Sequence, residues 1–210
     1  MTIQTARDAI PPLFRHAKLS ELDPAQFGFI KEYCSTAAVF ASHMKKGEGL
    51  LLSGPSGVGK SYAMAALTLE YGRRATQAGS WHFETVPDVL EKYRDIGGSK
   101  IVDSFREQPW TTTYERVRWL VLNDMGKEYR GGKMHEQSVA KLGRLIRRRA
   151  EQKLVTHITT NLTIGVDSSG DHAENSFLET YGESLWSLLH ECTQGHLVWG
   201  PDQRVEMRRL

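Results

Sequence analysis

A chain of 210 residues, 40% hydrophobic and 25% charged, holds enough apolar material for one sizeable core and lies in the size range of a single domain. No run of about 18 apolar residues occurs, and the opening MTIQTARDAIPP lacks the charged-then-apolar order of a secretory signal, so a soluble, cytoplasmic protein with no membrane segment is expected. The formal charge of +2 is unevenly spread. From Leu154 to Gln203 there is no Lys or Arg, while Asp167, Asp171, Glu174, Glu179, Glu183, Glu191 and Asp202 contribute seven negative charges and leave +9 on the rest of the chain. That asymmetry fits a basic face for nucleic acid and an acidic one for a partner, or simply patchy solvated surfaces. Cys34 and Cys192 have neither metal-ligand nor disulfide-framework spacing and read as ordinary thiols.

In chain order, DPAQFGFIKEYCSTAAVFASHMKKG predicts one amphipathic helix. Asp23 is its N-cap, Pro24 its first residue, Phe27, Ile30, Tyr33, Ala37, Phe40 and Met44 its apolar face, and Gly47 its stop. GLLLSG (49–54) then reads as a strand, KSYAMAALTLEYGRRATQAG as a helix, SWHFET as a strand and PDVLEKYRD as a helix opened by Pro87. Residues 97–116 are ambiguous, interrupted by Gly97, Gly98 and Pro109. After them come the strand WLVLN ending at Asn123, a loop marked by Gly126, Gly131 and Gly132, and a helix over 135–152. The chain continues with the strand LVTHITT, a helix over 174–191 and a short strand HLVWG at 196–200. Such alternation predicts an α/β fold with a mainly parallel sheet covered on both faces. Residues 1–47 are read as an N-terminal segment and helix leading into a core of residues 48–210.

Residues 54–61, GPSGVGKS, match G-x-x-x-x-G-K-[ST] between a strand and a helix, the context that pattern needs. The loop Gly54, Pro55, Ser56, Gly57, Val58, Gly59, Lys60 and Ser61 is therefore expected to wrap phosphate with backbone N–H groups and a helix N-terminus. Lys60 would reach the β and γ phosphates, and the Ser61 hydroxyl would ligate Mg²⁺. The strand end at Asn123 and Asp124 falls where a second strand can bring both beside that metal, although Asn and Asp also favour ordinary turns. Asn161 closes another predicted strand, where it can orient water near a γ-phosphate.

These segments, together with IPPLFRHAKLSELDP, WHFETVPDVLEKYR, YGESLWSLLHE and GPDQR, resemble in order the DnaC/IstB-type AAA+ ATPases, bacterial helicase loaders and transposition helpers. The resemblance implies a P-loop NTPase of AAA+ type with five strands in the order 5-1-4-3-2, a reduced or absent C-terminal lid, and ATP or ADP with Mg²⁺ as cofactors. It implies Asn161 as the sensor that positions water and Arg204 as a late arginine contacting phosphates of its own subunit. Asn123 would hold Mg²⁺ through a water, and Asp124 would act on the attacking water. It implies homo- or hetero-oligomers whose subunits complete one another's sites, a replicative helicase or a transposase as partner, and DNA as a possible one. A helicase loader-like accessory in DNA replication is the leading reading; an IstB-like transposition helper and a non-hydrolysing regulatory scaffold are the alternatives.

The pattern departs from the family at two points. Asn123 and Asp124 stand where the family has Asp followed by Asp or Glu, and Leu188 aligns with its arginine finger. Slow hydrolysis is expected, with Leu188 offering an apolar surface to a neighbour's phosphates, unless an arginine comes from another partner or from the 144–149 helix. Family members commonly carry an extra N-terminal domain. Here the loop begins at residue 54, and recruitment is expected to use the core surface, a separate protein or the first 20 residues. In LGRLIRRRAEQK, Arg144, Arg147, Arg148, Arg149 and Lys153 fit either a DNA-backbone contact or a solvated helix end. Arg149 matches a family arginine and is a candidate for a contact across a subunit interface. The histidines form no metal pattern, and Trp81, Trp110, Trp119, Trp186 and Trp199 are assigned to the core.

Overall fold

The computed structural model describes residues 10–74, 81–95, 114–128, 132–164 and 176–206. Gly97, Gly98, Pro109, Trp110, Gly131, Asp167, Asp171 and Glu174 lie outside them. Two 3-10 turns, Pro12–Phe14 and Leu19–Glu21, precede α1 (Pro24–Tyr33) and α2 (Ala37–Lys46). Then follow β1 (Gly49–Ser53), α3 (Lys60–Arg74), β2 (Trp81–Thr85), α4 (Val86–Asp95), β3 (Trp119–Met125), α5 (Gly132–Glu151) and β4 (Val155–Thr160). Next come α6 (Phe177–Tyr181), α7 (Glu183–Cys192), β5 (Thr193–Leu197) and α8 (Gln203–Glu206).

All five strands are parallel, in the order β2-β3-β4-β1-β5, which is the predicted order read from the other edge. Period-2 alternation divides their apolar residues between two cores. Leu50, Leu52, Trp119, Val121 and Val155 pack with Phe27, Ile30, Tyr33, Phe40 and the buried face of α3. Leu51, Leu120, Leu122 and Ile158 pack on the opposite side with Val86, Val89, Leu142, Ile146, Phe177 and Leu189. The sheet is thus the middle of three layers, and its interior strands β1 and β3 read as continuous hydrophobic runs for that reason, while β4 buries the polar Thr156, His157, Thr159 and Thr160. Among the described residues no helix is long and apolar enough to cross a membrane.

Several element boundaries differ from the expectation. The first helix is two, because Thr36 turns extended (φ −129°, ψ 162°) and caps α2 by accepting the Val39 N–H at 3.1 Å. Ala37, expected on the buried face, is exposed. The 174–191 helix is divided at Gly182, whose φ of +79° ends α6. The last strand lies earlier than 196–200: Gly49–Ser53 needs a partner along its whole length and takes Thr193–Leu197, with Val198 N–H continuing onto Ser53 O at 2.7 Å. The polar Thr193-Gln194-Gly195 belongs to an edge strand, so it lacks the apolar signature of an interior one. Trp119 and Trp81 are core residues as expected, whereas Trp199 beyond this strand is 65% exposed.

Candidate functional site: a phosphate loop and its two flanking strands

The loop 54–61 rises from the carboxyl end of β1 and runs into α3. Its base is tied to β4: Gly54 N–H donates to Thr160 O at 3.3 Å and Ser53 Oγ donates to Leu162 O at 2.6 Å. Gly57 and Gly59 take φ of +89° and +97°, a left-handed region costly for residues with a Cβ. A Cβ at Gly57 would also lie 2.1 Å from Asp202 Oδ1, so a side chain there would have to displace that carboxylate. Asp202 opens the segment that roofs the loop, and Gln203 N–H donates to Gly57 O at 3.0 Å. From below, Gln26 Nε2 of α1 donates to Val58 O at 3.2 Å and to Trp199 O at 2.8 Å, so the start and the end of the chain grip the loop together.

At the end of β3 the sheet register breaks. Leu122 pairs with Ile158 and Met125 with Thr160, so Asn123 and Asp124 together face the single residue Thr159. Such a bulge turns side chains out of the regular alternation and is common beside functional sites. Asp124 takes φ of +61°, which Asp tolerates better than most residues, and its N–H donates to Thr159 Oγ1 at 2.9 Å. The expected strand ended at Asn123; the observed one runs through the bulge to Met125. Asn123, almost fully buried, accepts two hydroxyl protons on Oδ1, from Ser61 at 2.7 Å and from Thr159 at 2.8 Å. The Asp124 carboxylate pairs with Lys127 at 2.8 Å.

Lys60 is 5% exposed, and its ammonium donates to Gly54 O and Pro55 O at 2.7 Å each and to Asn161 Oδ1 at 2.9 Å. Burial lowers its pKa to about 8, with Asp124 opposing and the charges of Lys127 and Arg204 adding to the shift. Arg204 is exposed and donates from its guanidinium to both oxygens of Asp202, at 3.0 and 3.1 Å. That carboxylate raises the arginine's pKa. Cations therefore surround the loop from three elements: Lys60 from α3, Lys127 from the loop after β3 and Arg204 from α8. The arrangement suits a polyphosphate.

The residues also fit a magnesium ion carried by such a ligand. Mg²⁺ keeps several waters and takes few protein oxygens, typically with substrate phosphates completing its shell. With its proton on Asn123, Ser61 Oγ keeps its lone pairs for a cation. Among the described residues no group of three His, Cys, Asp or Glu could hold a metal by itself, so any ion here would depend on the ligand's own oxygens. A hollow of about 340 Å³ beside β5, lined by Ile164, Trp186 and Leu197 among others, is lined by no residue of the loop.

Solved structures with this architecture follow the chain nearly end to end. The crystal structure of DnaI shares 22% identity over 95% of this chain and 99% of its own, with a TM-score of 0.63. That of the DnaC helicase loader shares 20% identity over 90% and 100%, with a TM-score of 0.66. The fold is the one that these DnaC and DnaI structures share. AMPPCP-bound DnaA from Aquifex aeolicus also superposes, at 11% identity, over 95% of this chain and 55% of its own, with a TM-score of 0.59. The chain matches no protein-family model and no curated protein.

Within this DnaC-type fold, the loop residues 54–61, Asn123, Asp124, Asn161 and Arg204 converge on the carboxyl edge of the sheet. Two other expectations are corrected. Leu188 does not face outward: it is 8% exposed and packs in the core beneath α7, while Ser187 and His190 point to solvent. Helical phase decides this, because Leu185, Leu188 and Leu189 share the apolar stripe of α7. Arg149 is not available to a neighbour. It is fully buried and gives its guanidinium to Thr156 Oγ1 and to the carbonyls of Tyr114, Val117 and Val155, at 2.6–2.8 Å. Of the arginines read as DNA contacts, Arg148 is held by the Glu115 carboxylate at 2.6 and 2.7 Å and Arg147 reaches Ser184 Oγ at 3.4 Å. Sequence reasoning missed Thr159, Lys127 and Asp202. The threonine pair before Asn161 was the available signal for the first; the other two sit in loops with no pattern of their own.

Proposed function

We propose that this chain is an ATP-binding module that engages a partner in DNA replication when nucleotide fills the 54–61 loop, and that it holds ATP better than it hydrolyses it. The observation that carries the reading is the junction of Lys60, Ser61 and Asn123 at the mouth of a glycine-shaped loop, with Arg204 on its roof. Bound phosphates would draw Lys60 from the loop carbonyls and Arg204 from Asp202, and a magnesium ion with them would be met by Ser61 directly and by Asn123 through water. The ion would supply charge neutralisation along the phosphates. Asn161, already bonded to Lys60, would orient a water beside the terminal phosphate.

Slow turnover follows from the carboxylate count. Asn123 reproduces the acceptor contacts of an aspartate oxygen without its charge, and Asp124, the remaining carboxylate, is drawn to Lys127. The partner class follows by analogy with the DnaC helicase loader, whose architecture the chain shares over 90% of its length, so a replicative helicase is the favoured partner and a transposase the alternative. The test is calorimetric titration of ATP and ADP together with steady-state ATPase. Wild type binds both nucleotides, Lys60→Ala binds neither, and Asn123→Asp hydrolyses faster than wild type. Unchanged affinity in Lys60→Ala removes the loop from the site. Turnover by the wild type as fast as that of Asn123→Asp ends the low-hydrolysis reading. Pull-down against a replicative helicase and a transposase separates the two partner classes.

A further inference from the structure

An amide standing where a carboxylate would serve has one drawback: its two ends are different. The carbonyl oxygen accepts and the NH₂ donates, so only one orientation presents an acceptor to Ser61. In the structure Asn123 is turned the useful way, and one neighbour accounts for it. Thr159 Oγ1 accepts the N–H of Asp124 at 2.9 Å, and its own proton is directed to Asn123 Oδ1 at 2.8 Å. Turning the amide over would cost that proton its acceptor: the hydroxyl would either face the NH₂ with its O–H or rotate to accept from it and leave the O–H without this partner, inside a site where Thr159 has no exposed surface.

From this geometry we infer that Thr159 is the positioning residue that makes Asn123 serviceable at a metal-nucleotide site, by selecting the amide orientation and through it the orientation of the Ser61 hydroxyl. With Oδ1 fixed toward α3, Ser61 donates to it at 2.7 Å and keeps its lone pairs for a cation. With the amide reversed, an Nδ2–H would occupy a Ser61 lone pair and compete with the metal. The bulge enforces the same selection, because Thr159 is the single β4 residue facing both Asn123 and Asp124 and serves the two at once. A carboxylate at position 123 has no wrong end, so the dependence on Thr159 belongs to the Asn.

The inference rests on the nucleotide-binding reading of the loop, and the experiment separates the two. ADP affinity is measured by calorimetry with excess Mg²⁺ and again in EDTA, for wild type, Thr159→Ser, Thr159→Val and the double variant Thr159→Val/Asn123→Asp. Affinity in EDTA stays the same in wild type, Thr159→Ser and Thr159→Val, whereas the double variant, whose new carboxylate repels the phosphates when no metal is present, is compared only by its gain on adding Mg²⁺. The gain on adding Mg²⁺ falls about tenfold in Thr159→Val, the order seen when a residue supporting a metal ligand is removed. It is kept in Thr159→Ser and recovered in the double variant. A purely structural role for Thr159 would weaken binding in EDTA as well and would not be relieved by Asn123→Asp. A full Mg²⁺ gain in Thr159→Val, or a double variant as impaired as the single one, overturns the assignment. No ADP binding by the wild type in either buffer overturns the loop reading itself, and this assignment with it.

Discussion

Mild acid should weaken this protein through one histidine. His157 lies in the middle of β4 with no exposed surface, its ring 4.1 Å from that of Trp119 and 5.8 Å from that of Tyr33. Its Nδ1 accepts the N–H of Leu50 at 3.1 Å, so the ring proton sits on Nε2, which is buried without a partner. A second proton would have to displace Leu50 from Nδ1. Burial first, then the charges of Arg149 and His43, push the pKa down to about 3, from the ordinary value near 6.5. The unfolded chain therefore binds the proton that the folded chain refuses. The contribution is fully present above about pH 6.5 and is lost as pH falls toward 3, by about 1.4 kcal/mol per unit, which is about 2 kcal/mol at pH 5. Urea unfolding of wild type and His157→Gln at pH 7 and pH 5 measures it. Gln can still accept from Leu50 but cannot titrate. His82 and His196, whose pKa values burial also lowers, are present in both proteins and cancel. Wild type should lose about 2 kcal/mol more than the variant across this interval. Equal losses would show that His157 takes up its proton within the fold, and the argument from the Leu50 contact would fail.

Other substitutions test the two corrected positions. Arg149→Met should destabilise the fold by about 3 kcal/mol or more, because it takes the donor from three carbonyls and the Thr156 hydroxyl in a buried site; a urea-unfolding loss below about 1 kcal/mol would contradict the structural role. Leu188→Arg should cost about 3 kcal/mol by placing a charge in the core, while the exposed Ser187→Arg changes stability by less than about 0.5 kcal/mol. Thermal denaturation reads both, and a stable Leu188→Arg with raised ATPase would restore the arginine-finger alignment.

Element order was legible in the sequence because it is written locally. Leu50–Leu52 and Trp119–Leu122 are continuous apolar runs, GPSGVGKS is a contiguous pattern, and Asp23-Pro24 before an apolar periodic stretch is a local helix-start signal. What escaped depends on contacts between distant segments. Thr36 reads as a mid-helix residue until its hydroxyl caps Val39, and Thr193-Gln194-Gly195 reads as a loop until β1 pairs with it. Arg149 in a basic run looks solvated; only the carbonyls of Tyr114, Val117 and Val155 explain why it is inside. The site divides the same way. Lys60 and Ser61 were visible in a contiguous motif and Asn123 and Asn161 as residue types at strand ends, whereas the bulge that lets Thr159 serve Asn123 and Asp124 together is a property of two paired strands.

The roof over the loop also dictates an order of events during synthesis. Gly57 meets Asp202 and Gln203, and Val58 shares Gln26 with Trp199, so the loop is closed by residues translated long after it. A nascent chain that has emerged only through β4 can pair β1 with β4 but cannot yet close the loop from above. Contacts so distant along the chain form late, after the entropy of closing the intervening length has been met. Ribosome-bound intermediates should therefore possess the 54–61 sequence well before they possess the finished cradle, which closes only once residues 199–203 have emerged.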